Sequence, residues 1–194
     1  SAVSDEMKLA RLTADIKSQR IEFAYCSLGR LDALMHAAGT KDNRVTELIR
    51  WYDLQIRRLI ETAEEYYEEV AWYVFTDHGM HDITEGYNLI ADIEKTGLRW
   101  NRDYVAFYDS TMARFWFLNN GAQETVAARL AHHPKGRILS EEELKHEGVW
   151  FADGMYGELI FLMNPGIQIV PGFMGVKQIK GMHGYHPQDA DSAA

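Results

Sequence analysis

One short stretch, VAWYVFTDHG at residues 70–79, most constrains the fold of this 194-residue chain. Its first six residues are all apolar, and the run is followed closely by Asp77 and His78. A strand that is apolar on both faces is typical of the centre of a parallel sheet, where helices cover both sides. Segment 70–76 is therefore predicted as a buried strand that delivers an acid and an imidazole at its carboxyl end.

The chain before this run alternates between helical and extended patterns. Apolar residues recur at helical spacing over 4–19, with Ser4 as the candidate N-cap, and again over about 43–65. Between these helices, IEFAYCSL (21–28) is rich in aromatic and β-branched residues and predicts a strand. Residues 29–43, punctuated by two glycines, predict an irregular connection. The order α, β, α, β favours an α/β fold with a parallel sheet flanked by helices.

In the second half of the chain the predicted helices and strands no longer alternate regularly, and this order predicts a smaller α+β lobe. Two strand-like runs separated by two residues predict an antiparallel hairpin, and a later NPG turn predicts another. The predicted elements are a helix at 89–95, strands at 103–109 and 112–118, a helix at 123–131, and strands at 156–163 and 167–170. We expect a core portion at 1–83, the lobe at 84–178, and a return to the core at 179–194.

Composition excludes several classes of function. The formal charge of −9 argues against a nucleic-acid polymer as a partner, because a protein that binds nucleic acid normally carries positive charge to neutralise the phosphates. No apolar stretch approaches the roughly 20 residues needed to cross a membrane. The single cysteine, Cys26, excludes an internal disulfide and a thiolate metal cluster. The chain begins at Ser1 and a helical pattern follows at once, as expected for a piece of a longer protein, so the compartment stays open.

Acids and imidazoles occur together at three places. Asp32 and His36 follow the first predicted strand, Asp77 and His78 follow the second, and His183 lies in GMHGY near the end. Zinc, manganese and iron accept mixed carboxylate and imidazole ligands, whereas calcium and magnesium prefer oxygen ligands. Two such ions about 4 Å apart can clamp the attacking and leaving oxygens of a phosphoryl transfer. Each residue also has a plainer interpretation, as a helix cap or a hydrogen-bonding loop residue.

These segments resemble the motifs of the type I phosphodiesterase/nucleotide pyrophosphatase family in the alkaline phosphatase superfamily. TDHGM at 76–80 looks like the family's metal motif, and LDALMH at 31–36 is similar to its D-S-x-G-H segment. GMHGY at 181–185 resembles its final G-x-H-G-Y motif, and the order and approximate spacing of all three match. The resemblance implies an alkaline-phosphatase-like sheet, partial here, and metal-dependent hydrolysis of a small phosphoester or nucleotide.

Carried over residue by residue, the resemblance implies two divalent metal ions, with zinc favoured and manganese as the alternative. Asp32, His36 and His183 would hold one ion, and Asp77 with His78 would contribute to the other. In the family, the second ion also binds an Asp from an early strand and a Thr or Ser nucleophile. Neither has a counterpart here, so no catalytic nucleophile is assigned in this chain. The resemblance therefore implies a C-terminal portion whose partner is the missing N-terminal half.

Several alternatives stay open at this level. Ala33 and Met35 replace the Ser and Gly of D-S-x-G-H, which keeps the ligands but changes the loop. The chain can instead belong to another branch of the superfamily, such as a cofactor-independent phosphoglycerate mutase or a phosphonoacetate hydrolase. It can also be a non-catalytic, metal-poor domain, or an unrelated α/β protein with a chance match.

Other conspicuous residues are predicted to be structural. His81, three residues beyond His78, is expected to be a solvent-facing loop residue rather than a support for a ligand. The aromatic residues of the two clusters are expected in the core, and they are Trp72, Tyr73, Phe75, Phe115, Trp116 and Phe117.

Overall fold

The structure is a computed structural model that describes residues 3–192. The chain divides into two compact units, Ser1–Asp77 and His78–Ala194, and each has its own apolar cluster. The finer division at 1–83, 84–178 and 179–194 stays a prediction. None of the helices in the described part combines the length and apolarity needed to span a lipid bilayer.

The first unit is built from helices. They are α1 (Asp5–Lys17), α2 (Arg30–Ala38) and α3 (Asn43–Tyr66). Ser4 caps α1 as predicted, because its hydroxyl accepts a hydrogen bond from the Met7 N–H. Leu9 and Ile16 of α1 pack with Leu59 and Ala63 of α3, which confirms the two periodic patterns as amphipathic helices.

Helix α2 corrects the prediction of an irregular connection at 29–43. Gly29 stands at the N-cap and has no side chain with which to cap the helix. The Asp5 carboxylate supplies the cap instead, accepting hydrogen bonds from the Gly29 N–H at 3.3 Å and the Arg30 N–H at 3.0 Å. Since this acceptor comes from a distant part of the chain, the local sequence carries no start signal for the helix.

The two predicted strands at 21–28 and 70–76 are not observed as strands. Both are assigned neither helix nor strand, because the described part of the first unit offers them no paired neighbour. The core prediction for Tyr73 and Phe75 is also wrong, since they are 84% and 73% exposed. Phe23 and Tyr25 of the other segment are 84% and 71% exposed. Both segments therefore have the composition of a strand, but no sheet in the described part of the first unit buries their side chains.

The second unit is a mixture of short strands and helices. Its strands are β1 (His81–Asp82), β2 (Glu85–Tyr87), β3 (Tyr104–Tyr108), β4 (Met112–Phe117), β5 (Gly136–Ile138), β6 (Leu159–Met163), β7 (Ile167–Ile169) and β8 (Gly181–Met182). Its helices are α4 (Leu89–Glu94), α5 (Ala122–Leu130) and α6 (Glu141–His146). The predicted β3–β4 hairpin is confirmed, and it forms a four-stranded antiparallel sheet in the order β3-β4-β6-β5. Phe115 lies fully buried in the core of this unit, as predicted.

Strand β7 corrects the second predicted hairpin. The NPG turn does not fold β7 back onto β6, and β7 pairs in parallel with β2 instead. Gly166 adopts a φ of +83°, and its carbonyl accepts hydrogen bonds from the N–H groups of Thr84 and Glu85. The turn therefore joins β7 to the start of β2, a long-range pairing that a local turn signal cannot predict.

Candidate metal centre

Helix α2 brings Asp32 and His36 together within the first unit. They lie four residues apart, and this spacing places both side chains on one face of a helix. The Asp32 Oδ1 and His36 Nε2 atoms are 3.2 Å apart, with 44% and 19% of the side chains exposed. A carboxylate oxygen and an imidazole nitrogen thus stand side by side, with the Asp32 Oδ1 atom itself buried, and this pair of atoms suits a borderline divalent cation.

The orientation of α2 depends on Asp5, a residue that the sequence did not single out. Asp5 is only 4% exposed, and its carboxylate accepts hydrogen bonds from the Tyr52 hydroxyl (2.5 Å) and the Lys8 ammonium (3.2 Å) as well as from the start of α2. Burial alone raises the pKa of the Asp5 carboxyl, but the hydrogen bonds from Tyr52, Arg30, Lys8 and Gly29 outweigh it and hold the pKa below its ordinary value. One charged side chain therefore joins α1, α2 and α3.

The second unit brings His78 and His183 together. Their rings are stacked, with centroids 3.5 Å apart and planes inclined by 15°. The ladder between β1 and β8 brings the two histidine-bearing segments together, because it pairs His81 with Met182. The His78 Nδ1 atom lies 2.9 Å from the Gly79 carbonyl oxygen, which can only accept, so Nδ1 is the donor and this hydrogen bond orients the ring.

Gly184 allows the chain to turn away directly after His183. Its φ is +91°, and an added Cβ would lie 3.0 Å from the Thr111 Oγ1 atom. The Thr111 hydroxyl donates a hydrogen bond to the Gly184 carbonyl at 2.7 Å, which fixes the turn to the residue just before β4. The glycine after the candidate ligand therefore has both a conformational and a steric reason.

Asp77 is the last residue of the first unit and is exposed, and His78 is the first residue of the second unit. Asp77 follows segment 70–76, as the sequence indicates, but that segment is not a strand here.

The prediction that His81 faces solvent is wrong, because its side chain is buried, with only 8% exposed. Strand β1 has only two residues, too few for an alternating pattern to reveal which side chain points inward.

Comparisons with known proteins identify the family of the chain. The family model of type I phosphodiesterase/nucleotide pyrophosphatase matches residues 2–186 of the chain. The chain therefore belongs to this family, which confirms the resemblance carried by the three motifs and removes the alternative of a chance match. A comparison with curated proteins finds no match.

Solved structures of similar shape show the fold. Murine ectonucleotide pyrophosphatase/phosphodiesterase 5 matches with a TM-score of 0.74 and 18% identity, over 98% of this chain and 51% of that protein. An inactive variant of the murine protein in complex with AMP has the same score and identity, over 98% and 50%. The human protein has a TM-score of 0.72 at 18% identity, again over 98% and 50%. The fold is α/β and alkaline-phosphatase-like, and the chain spans about half the length of these proteins.

Proposed function

We propose that this chain supplies the metal-binding part of a hydrolase that cleaves phosphodiester or pyrophosphate bonds of nucleotides. The observation that carries the proposal is two pairs of candidate ligands in a chain of this family: the acid Asp32 with the imidazole of His36, and the stacked imidazoles of His78 and His183. In this proposal Asp32, His36 and His183 hold one divalent ion, while Asp77 and His78 contribute to the second.

The donor set fits such ions. It contains carboxylate oxygens and imidazole nitrogens without thiolates, which suits zinc first and manganese second. The hydrogen bond from His78 Nδ1 to the Gly79 carbonyl orients the ring, as is usual for histidine ligands. When bound, the two ions would favour the ionised form of a hydroxyl nucleophile and neutralise charge on the phosphoryl group.

The substrate class that we propose is a nucleotide or a small phosphoester. The murine relative is described in complex with AMP, which supports a nucleoside monophosphate as the group bound. The formal charge of −9 supports a substrate that is bound through metal ions rather than through an extended basic surface. A nucleic-acid polymer is accordingly not proposed as the substrate.

We further propose that the nucleophile and the remaining ligands of the second ion come from polypeptide outside these 194 residues, the N-terminal half of the same enzyme. The match to only about half of each solved relative supports this division. The exposed apolar segments 21–28 and 70–76 support it too, since strands of this composition are normally buried in a sheet. The core portion would then be 1–83 and 179–194, with 84–178 as the lobe.

The test is turnover of a chromogenic phosphodiester by the isolated chain, with and without Zn²⁺ or Mn²⁺. We expect little or no activity, because the chain lacks an assigned nucleophile. Metal-dependent turnover that is abolished in Asp77→Ala but kept in Asp53→Ala would overturn the proposed division of the active site. The complete enzyme is expected to cleave nucleotide diesters, and cleavage of monoesters alone would favour another branch of the superfamily.

A further inference from the structure

The stacked pair of His78 and His183 is attached to a very short ladder. Strands β1 and β8 share only two residue pairs, His81 with Met182 and Asp82 with Gly181. One more backbone hydrogen bond, from the Ile83 N–H to the Lys180 carbonyl at 2.8 Å, extends the pairing. Two-stranded pairs of this length are not stable alone, so the ring geometry needs further support.

The side chain of His81, a residue of β1, makes further contacts with Tyr185 and Ser192. Its buried ring meets the Tyr185 ring edge-on, with centroids 4.8 Å apart and planes inclined by 74°. Its Nε2 atom lies 2.9 Å from the Ser192 hydroxyl oxygen, within hydrogen-bond distance. Because Tyr185 is 5% exposed and sits two residues beyond His183, this contact links the two histidine-bearing segments a second time.

Ser192 also holds the loop that carries His78. Its carbonyl oxygen accepts a hydrogen bond from the Gly79 N–H at 3.1 Å, and the Gly79 carbonyl accepts from His78 Nδ1. The Ser192 N–H donates to the Asp189 carbonyl at 2.8 Å, which closes a turn in the tail. A chain of hydrogen bonds therefore runs from Ser192 through Gly79 to the His78 ring.

The arrangement of Ser192, His81 and Asp191 is not that of a nucleophilic triad. Asp191 Oδ2 is 3.9 Å from His81 Nδ1, beyond hydrogen-bond distance, and its side chain is 76% exposed. An orienting acid in a triad is hydrogen-bonded to the imidazole and buried. The hydroxyl of Ser192 is therefore better explained as an anchor than as a nucleophile.

We infer that His81 and Ser192 are positioning residues that hold the His78–His183 pair in the geometry needed for metal binding. Neither is a metal ligand in this inference, since His81 Nε2 is engaged by Ser192 and the ring is buried against Tyr185. The link to metal rests on the proposed function, but the effect on ring geometry does not. Outer partners of this kind typically change metal affinity by about 10-fold to 100-fold when they are removed.

The experiment compares the wild-type chain with Ser192→Ala and His81→Phe, and Ser192→Thr serves as the conservative variant. The phenyl ring keeps the packing on Tyr185 but cannot bond to Ser192. Ser18→Ala is the matched control, because the Ser18 hydroxyl donates a hydrogen bond to the Asp15 carbonyl within its own helix end. The readouts are the ring-proton chemical shifts of His78 and His183, amide exchange at Gly79, and Zn²⁺ affinity by calorimetry.

In Ser192→Ala and His81→Phe, we expect the ring-proton chemical shifts of His78 and His183 to lose the effect of ring stacking. Amide exchange at Gly79 should become faster, and Zn²⁺ binding should weaken about 10-fold or more. Ser192→Thr and Ser18→Ala should resemble the wild type. Unchanged shifts, exchange and affinity in Ser192→Ala would overturn the inference. If the wild type binds no Zn²⁺ while the variants still lose stacking, the proposed function fails and the positioning role stands.

Discussion

At the scale of single residues, Asp5 has the clearest structural consequence. It is buried, it caps α2 from outside that helix, and it bonds to Tyr52 of α3. Removing its charge leaves the Tyr52 hydroxyl and two backbone N–H groups with a poorer acceptor in a site that water reaches little. The candidate ligands Asp32 and His36 depend on this residue because α2 carries both.

We predict that Asp5→Asn lowers the free energy of unfolding of the first unit by about 1.5–3 kcal/mol, the usual range for hydrogen bonds to a charged group. Asp53→Asn, which alters an exposed pair with Arg57, should have almost no effect. Denaturant titrations followed by circular dichroism measure both changes. Equal stabilities for the two variants would contradict the capping role of Asp5.

The same residue predicts a dependence on pH. Because the folded-state pKa of Asp5 is lowered from 3.8, its stabilisation is complete above that value and is lost as the pH falls through the lower, folded-state pKa. The stability advantage of the wild type over Asp5→Asn should therefore shrink as the pH falls below about 4. An advantage that is constant down to pH 2 would show that Asp5 does not titrate as described.

At the scale of elements, local pattern predicts those elements whose partners are close in sequence. The periodic helices α1 and α3 and the hairpin of β3 and β4 follow from side-chain spacing and a tight turn. The local pattern does not predict helix α2, because its cap comes from Asp5, 25 residues before Arg30. The composition of segments 21–28 and 70–76 predicts strands, but a strand also requires a neighbour to pair with.

Strand β5 offers a test at this scale. A Cβ added at Gly136 would lie 2.4 Å from the Leu162 carbonyl oxygen and 2.7 Å from the Phe161 ring, so β5 can approach β6 only with glycine at this position. We predict that Gly136→Ala destabilises the second unit by about 1–3 kcal/mol through overpacking. Gly29→Ala is the control for added bulk, since a Cβ there meets nothing within 4 Å. Similar unfolding midpoints for Gly136→Ala and the wild type would refute the close approach.

At the scale of the whole molecule, the three motifs predict the family because candidate ligand residues stand at fixed spacings within short segments. The same spacings could not reveal Asp5, His81 or Ser192, whose roles arise from contacts between distant parts of the chain. Half of each solved relative lies beyond the match, and our proposal places the nucleophile in that half. The central claim is that the Asp and His side chains present here bind a divalent metal ion.

The most direct test of that claim is the metal content of chelator-free protein, measured by plasma emission for the wild type, Asp32→Ala and Asp77→Ala. Asp32 belongs to the proposed three-ligand site and Asp77 to the incomplete one. We predict about one transition-metal ion per chain in the wild type, lost in Asp32→Ala and largely kept in Asp77→Ala. Metal-free wild-type protein, or equal loss in both variants, would contradict the claim that Asp32, His36 and His183 form a metal site within this chain.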